Sequence, residues 1–143
     1  MRDPGIEGSG SVADMAIRHD GAQVQLACGS PYFVEAFSTA AFGSQRSWPT
    51  GPYPVAVDVS PDDLFVAAGA WAPYDPDVFV FPYRSQTPVF SHDFASSFEK
   101  LADGGLMFGP DGTTVYAVSL SLETDDTTLH VFHVDEQLAA TRT

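Results

Sequence analysis

The residues of this chain that could bind a metal ion are two groups of carboxylates and several histidines. Asp75 and Asp77, which flank a proline, and the loop 123–126 offer the oxygen ligands that calcium prefers. Neither group has the glycine and the regularly spaced carboxylates of a calcium-binding loop, so we interpret both as solvated acidic loops. His130 and His133 are three residues apart in an apolar strand pattern, which points them to opposite faces. The sequence therefore predicts no metal site.

Residue patterns typical of covalent catalysis are also missing. Cys28 is the only cysteine, which excludes an internal disulfide. It alternates with Val24 and Leu26 in an apolar strand pattern, so we expect a buried and unreactive thiol. Nucleophile-elbow, P-loop and dinucleotide-binding motifs do not occur in the chain. These observations favour a protein with no catalytic residues and no cofactor.

The composition limits the partners of the protein. Six Lys and Arg residues against nineteen Asp and Glu residues give a net charge of −13 in 143 residues. A chain this acidic repels phosphate backbones and anionic lipids, so we expect neither nucleic-acid nor membrane binding. Residues 1–10 lack the apolar stretch of a signal peptide, and we expect them to form a flexible N-terminal segment.

Three turns of similar composition mark a repeat. They occupy residues 18–21 (RHDG), 60–63 (SPDD) and 109–112 (GPDG), each between two apolar strands. Their aspartates at 20, 62 and 111 are 42 and 49 residues apart. Repeats of this length that consist of strands are typical of β-propellers, with one four-stranded sheet per repeat. The sequence therefore predicts an all-β protein of three four-stranded antiparallel blades, at about 11–45, 52–94 and 102–143.

The strands of each blade follow from the turn and strand patterns. First strands are expected at 12–17, 55–59 and 105–108, second strands at 22–28, 64–68 and 114–119, and third strands at 32–37, 77–81 and 129–134. Fourth strands are predicted at 40–42, 88–94 and 138–143. Several strands are apolar on both faces, and no helical periodicity appears between them. Sheets stacked between neighbouring sheets explain this pattern, as in a propeller.

This topology places several aromatic and acidic residues along one edge of the blades. The loops between second and third strands share that edge with the connections between blades, and loops on rigid sheets often carry binding residues. Tryptophan and tyrosine are also common interface anchors. The candidate binding residues are Trp48, Tyr53, Trp71, Tyr74, Asp75 and Asp77. The alternative is that Trp48 and Trp71 fold back over the blade edge and seal the core.

Three blades are too few to close a propeller, because known rings have about four to eight blades. The first and third blades would each leave one face uncovered, and the third repeat is apolar on both of its faces. Soluble monomers rarely expose such a patch. We therefore expect either a fragment of a larger propeller or a homodimer that completes a six-bladed ring.

By its residues 57–67 (VDVSPDDLFVA) and 108–118 (FGPDGTTVYAV), the chain resembles bacterial β-propeller repeat proteins with WD-like and YVTN-like blades. Residues 72–81 (APYDPDVFVF) are similar to propeller regions of secreted actinobacterial proteins that carry Ig-like repeats. The resemblance implies a non-catalytic scaffold that binds a protein or another ligand, in a secreted or cell-surface parent protein. The alternative is part of a propeller enzyme, lactonase-like or lyase-like, whose site needs the complete ring.

Overall fold

A computed structural model describes residues 11–29, 32–71 and 76–142 of the chain, and residues 1–10 lie outside this part. Its strands are β1 (Val12–Ile17), β2 (Gln23–Cys28), β3 (Phe33–Ser38), β4 (Ser44–Pro49), β5 (Pro54–Val59), β6 (Phe65–Ala70), β7 (Val78–Pro82), β8 (Phe90–His92), β9 (Glu99–Phe108), β10 (Thr114–Ser121) and β11 (Thr127–His133). One helix, α1, spans Asp135–Arg142.

The strands form three antiparallel sheets in which neighbours along the chain pair with each other. The first blade is β1-β2-β3-β4, the second is β5-β6-β7-β8, and the third is β9-β10-β11. The first strands of the three blades, β1, β5 and β9, lie side by side, so the sheets radiate from a common centre. The all-β prediction is confirmed.

The prediction of three four-stranded blades is wrong for the third blade, which has three strands. In the first blade, the fourth strand lies at a different position from the predicted one. Residues 138–143 are predicted to form a strand, but α1 occupies residues 138–142. Asp135 and Glu136 in its first turn suit the positive end of the helix dipole. The Leu138 side chain is fully buried between the second and third blades, which fixes the helix against the sheets. In the first blade, residues 39–43 form a turn, and the fourth strand is β4.

Two apolar cores hold the three sheets together. The core between the first and second blades includes Val34, Trp48, Val59, Val66 and Phe81. The core between the second and third blades includes Phe65, Val80, Leu101, Leu106, Val115 and Leu138. The second blade contributes to both, which explains why β6 is buried along its whole length. Cys28 is buried as well, and burial raises the pKa of its thiol.

A carboxylate of the first strand also joins each blade to the next. Asp14 accepts a hydrogen bond from the Val57 backbone N–H at 3.0 Å, which ties the first blade to the second. Asp58 accepts one from the Phe108 N–H at 2.6 Å, which ties the second blade to the third. Such bonds to a charged acceptor are among the stronger ones in proteins. Each internal contact between blades therefore combines apolar packing with one part-buried hydrogen bond to a carboxylate.

The outer faces of the first and third blades are apolar and uncovered. On the first blade, Met15 is 69% exposed and Ile17 is exposed beside it. On the third blade, Leu129 is 63% exposed, with Met107 and Val131 also exposed. A groove of about 200 Å³ on this face is lined by the residues 104–107, 116, 118 and 129. These faces are the positions where further blades would pack in a closed ring.

Candidate ligand-binding rim

The two edges of the stacked blades differ in their loops. One edge, which we call the turn rim, holds the three aspartate turns that join the first and second strands. The opposite edge, which we call the aromatic rim, holds the loops between β2 and β3, β4 and β5, β6 and β7, β8 and β9, and β10 and β11. Candidate binding residues concentrate on the aromatic rim.

Three exposed aromatic side chains form a continuous row on the aromatic rim. Tyr32, Tyr53 and Trp71 are 42%, 51% and 37% exposed. The ring centroids of Tyr32 and Tyr53 are 5.7 Å apart with the ring planes at 65°. Those of Tyr53 and Trp71 are 5.8 Å apart at 39°. The row runs from the first blade to the second, and its rings are tilted against each other rather than coplanar.

The backbone holds both tyrosines in an uncommon conformation. Tyr32 has φ of 71° and Tyr53 has φ of 57°, a region in which bulky residues are rare. The Tyr53 carbonyl accepts a hydrogen bond from the Trp71 N–H at 2.9 Å, which fixes the connection between the blades next to β6. Residues in strained conformations cluster at binding and catalytic sites. The geometry presents both phenol rings to solvent.

The third blade adds a lysine to the row. The Lys100 ammonium lies 5.1 Å from the Trp71 ring centroid, a cation–π distance. Lys100 is the only lysine of the chain. Leu101, the next residue of β9, is fully buried and packs directly against Gly69 of β6. This close contact between two blades sets the position of Lys100 over the indole.

The predicted site residues do not share one location in the structure. Tyr53 and Trp71 lie side by side on the aromatic rim, as the topology indicated. The expectation that Trp48 belongs to an exposed edge is wrong, because its side chain is fully buried and packs on Tyr83 with centroids 5.1 Å apart. Tyr74 and Asp75 lie outside the described residues.

Two members of the row are not among the predicted site residues. The sequence predicts Tyr32 at the beginning of a strand and gives Lys100 no role at the rim. The topology offered a signal for Tyr32, since it follows the second strand of its blade as Trp71 does. No sequence signal indicated that Lys100 reaches the rim, because that depends on how the second and third blades pack.

Asp77 lies at the aromatic rim but is buried rather than exposed. Its carboxylate accepts a hydrogen bond from the Phe94 N–H at 2.8 Å, which connects the beginning of β7 to the segment after β8. Burial raises the pKa of Asp77 to about 7, and the neighbouring carboxylates of Asp93 and Glu99 add to the rise. Asp77 is therefore partly protonated near neutral pH. We interpret it as a residue that stabilises the contact between the beginning of β7 and the segment after β8, rather than as one that contacts a ligand.

We expect the buried Asp77 to make the protein less stable as the pH rises. Between pH of about 4 and 7 the unfolded chain releases a proton that the folded chain retains, so unfolding becomes easier as the pH increases. Asp77→Asn keeps an acceptor for the Phe94 N–H and has no charge to bury. Its free energy of unfolding, compared with that of the unsubstituted protein, should gain about 1–3 kcal/mol between pH 5 and pH 8.

The matched control for this measurement is Asp103→Asn, which neutralises an exposed carboxylate of β9. Urea unfolding at a series of pH values should give the control the same pH dependence as the unsubstituted protein. Parallel profiles for all three proteins would show that Asp77 is ionised in the folded state across this range.

A serine, a histidine and a glutamate meet behind the rim without forming a catalytic triad. The Ser119 hydroxyl lies 2.8 Å from His130 Nε2, and Glu99 Oε1 lies 3.2 Å from the same nitrogen. A Ser-His-acid relay needs the serine and the acid on different ring nitrogens. Ser119 is also buried, and it donates a hydrogen bond to Glu99. The cluster links β9, β10 and β11 and is not arranged for nucleophilic attack.

The aromatic rim carries a negative charge. Five carboxylates, exposed or half-buried, lie in its loops or at the strand ends beside them, namely Asp93, Glu99, Glu123, Asp125 and Asp126. Lys100 is the only cation placed there among the described residues. Within the same part of the chain, no three His, Cys, Asp or Glu side chains converge to hold a metal ion. The rim therefore combines aromatic rings with a surrounding negative potential.

A concave site lies at the turn rim and had no clear sequence signal. Its volume is about 510 Å³, and it is lined by Arg18, Asp63, Leu64, Phe65, Pro82, Tyr83, Arg84 and Thr141. The Arg18 guanidinium stacks 4.4 Å from the centroid of the Tyr83 ring and binds Asp20. These contacts hold the Arg18 guanidinium within the protein.

Comparisons with known proteins establish the fold and no more. No family model matches the chain, and no curated protein matches its sequence. Among solved structures, a chain of the hydrazine synthase of Kuenenia stuttgartiensis is similar with a TM-score of 0.69 at 16% identity, over 86% of this chain and 34% of that one. U3-55K is similar with a TM-score of 0.64 at 10% identity, over 88% of this chain and 40% of that one.

These likenesses support a β-propeller-like fold for the three sheets. The chain spans only about a third to two fifths of the length of both solved chains, so it corresponds to part of each. Among the described residues, no helix is both long and apolar enough to cross a membrane.

Proposed function

We propose that the chain is a non-catalytic binding module that presents its aromatic rim to a protein or another ligand. The observation that carries this proposal is the row of Tyr32, Tyr53 and Trp71, exposed and in mutual contact on loops of two blades. Exposed aromatic residues of this kind are interface anchors, and the sheets beneath them provide a rigid base.

Backbone rigidity also supports the proposal. The positive φ values of Tyr32 and Tyr53 cost free energy in the folded state and persist only where the surrounding structure holds the backbone in place. A preformed row of rings loses little side-chain entropy when a ligand binds, which raises the affinity for a given contact area. The positive φ values thus fit a surface that is organised before binding.

The test is an NMR titration with three probe classes: a proline-rich peptide, a soluble oligosaccharide and a quaternary ammonium compound. The two indole N–H signals serve as reporters, because Trp71 lies in the row and Trp48 is fully buried. We expect at least one probe to shift the Trp71 signal and leave the Trp48 signal in place. Shifts confined to the turn rim, or no shift with any class, would contradict the proposal.

The alternative is an enzyme whose site needs a complete ring. Hydrazine synthase, which is similar in fold, is an enzyme, but at 16% identity this likeness carries no activity to the present chain. Turnover of a lactone or of a lyase substrate by this protein, lost on substitution of a residue at the centre of the sheets, would favour the enzyme.

We also propose that a second copy of the chain covers the open faces and completes a six-bladed ring. The third blade of one copy would pack against the first blade of the other, which gives two equivalent contacts and a closed, symmetric assembly. Asp14 lies six residues before the turn aspartate of the first blade, and Asp58 lies four residues before that of the second blade. At these two distances from its own turn aspartate, the third blade has Gly105 and Met107. The contact between copies would thus be apolar and lack the carboxylate bond of the internal ones.

A further inference from the structure

We propose that the aromatic rim binds a proline-rich segment with arginine or lysine residues beside the prolines. This inference rests on the proposed binding function and names the ligand class for the row of Tyr32, Tyr53 and Trp71. Three features of the rim support this ligand class: the angles between the rings, the length of the row and the charge around it.

The ring angles favour proline over a flat ligand. Planes at 65° and 39° give the row an uneven surface of ring faces and edges, whereas a sugar chain stacks best on coplanar rings. Proline-rich segments dock on surfaces lined by aromatic rings and bring a preformed polyproline II helix. Because the polyproline II helix and the row of rings are both ordered before binding, neither the ligand nor the protein loses much conformational entropy.

The length of the row suits a short segment of such a helix. The two steps between ring centroids measure 5.7 Å and 5.8 Å. A polyproline II helix rises about 3.1 Å per residue, so the row is at most about four residues long. Two prolines with one residue between them are about 6 Å apart along such a helix, which matches the spacing of neighbouring rings.

The charge of the rim determines the residues beside the prolines. Five carboxylates lie in the rim loops or next to them, and the whole chain carries −13. An acidic peptide would be repelled, and a basic one would be attracted before contact. Lys100 over Trp71 shows that this indole already attracts a cation, and a ligand guanidinium would gain the same interaction on a neighbouring ring.

Stacked nucleic-acid bases are the other ligands that use rows of aromatic rings. Proteins that bind single strands combine those rings with a positively charged groove that follows the backbone. The loops of the aromatic rim carry carboxylates instead, with Lys100 as the cation among the described residues. A phosphate backbone would therefore be repelled where a basic peptide is attracted.

The experiment is a calorimetric titration of the full chain with a synthetic peptide of about ten residues, rich in proline and carrying arginine at both ends. One comparison peptide has alanine in place of proline, and another has glutamate in place of arginine. We expect the first peptide to bind at least about tenfold more tightly than either comparison peptide. Added salt should weaken binding, because the charges of the rim are exposed.

Tyr53→Asn and Phe42→Asn form a matched pair of variants. Both residues are exposed aromatics with φ near 57° and 58°, and asparagine tolerates that conformation. Phe42 lies on the turn rim, in the turn before β4. We expect Tyr53→Asn to weaken binding of the peptide at least about tenfold, and Phe42→Asn to leave it unchanged.

Trp71→Leu is the second rim variant and should also weaken peptide binding at least about tenfold. Equal binding of the proline and alanine peptides, or equal effects of Tyr53→Asn and Phe42→Asn, would overturn the inference. Tyr53-dependent binding of an oligosaccharide or a quaternary ammonium probe in place of the peptide would overturn the ligand class and leave the binding function standing. If no probe binds in a manner that depends on Tyr53 or Trp71, both proposals fail.

Discussion

Replacing Leu101 with alanine is expected to lower the free energy of unfolding by about 2–5 kcal/mol. The leucine is fully buried in the core between the second and third blades. Its removal would leave a cavity at the point where β9 packs on β6. Because Lys100 precedes it in β9, we also expect the lysine to lose its fixed position over Trp71.

A second substitution, at Gly69, tests whether the effect of Leu101→Ala arises from the contact between Leu101 and Gly69. A Cβ atom at Gly69 would lie 1.9 Å from a methyl carbon of Leu101, so Gly69→Ala should cost about 1–3 kcal/mol by overpacking. In a chain that already carries Leu101→Ala, the added methyl group enters the cavity instead. The double variant should therefore be more stable than the sum of the single costs indicates, by about 0.5–3 kcal/mol.

Urea unfolding of the single and double variants measures this coupling. Leu64→Ala serves as the control, because that leucine is exposed at the turn rim, away from both open faces, and its loss should change the stability by less than about 0.5 kcal/mol. Strictly additive costs for Gly69→Ala and Leu101→Ala would show that the two blades do not meet at this contact in solution.

The repeat and its turns were predictable from the sequence because their chemistry is local. Asp62 accepts a hydrogen bond from the Leu64 N–H at 3.1 Å, and Asp111 accepts one from the Thr113 N–H at 3.0 Å. The fourth turn position takes a positive φ at Asp63 and Gly112, residue types that tolerate it. Turns of this kind are determined by the residues within them, so their composition and spacing were enough to predict them from the sequence.

The errors have a different physical origin. A short segment with alternating and small residues suits a strand or a helix, and α1 forms because Leu138 is buried by residues of two blades. Trp48 is fully buried because Tyr83 of the second blade covers it. Both outcomes depend on contacts between distant parts of the chain, which local patterns do not contain.

The candidate site was predictable only in part for the same reason. Tyr53 and Trp71 follow from the topology, since both belong to loops on one edge of the blades. The positive φ of Tyr53 had no signal, because tyrosine is not a residue that indicates the left-handed region. The contact of Lys100 with Trp71 required the packing of the third blade on the second.

The second large effect is expected in the mass of the protein in solution. Met15 and Ile17 on the first blade, and Leu129 and Val131 on the third, are exposed side chains of strands that elsewhere pack on a neighbouring blade. Burying apolar surface at the contact between two copies stabilises the dimer by about 25 cal/mol per Å². The loss of free rotation and translation when the two copies associate opposes this gain. We expect light scattering at micromolar concentration to give twice the mass of one chain, 15.3 kDa.

Leu129→Glu should convert this dimer into single chains. In a closed ring of two copies, one substitution places a charge in both contacts, because each contact pairs a third blade with a first blade. Leu64→Glu is the control, since Leu64 is similarly exposed but lies at the turn rim, away from both open faces. The control should keep the dimer mass. A soluble unsubstituted protein with the mass of one chain, and with no binding of an apolar dye, would contradict the assembly and show that the open faces need no cover.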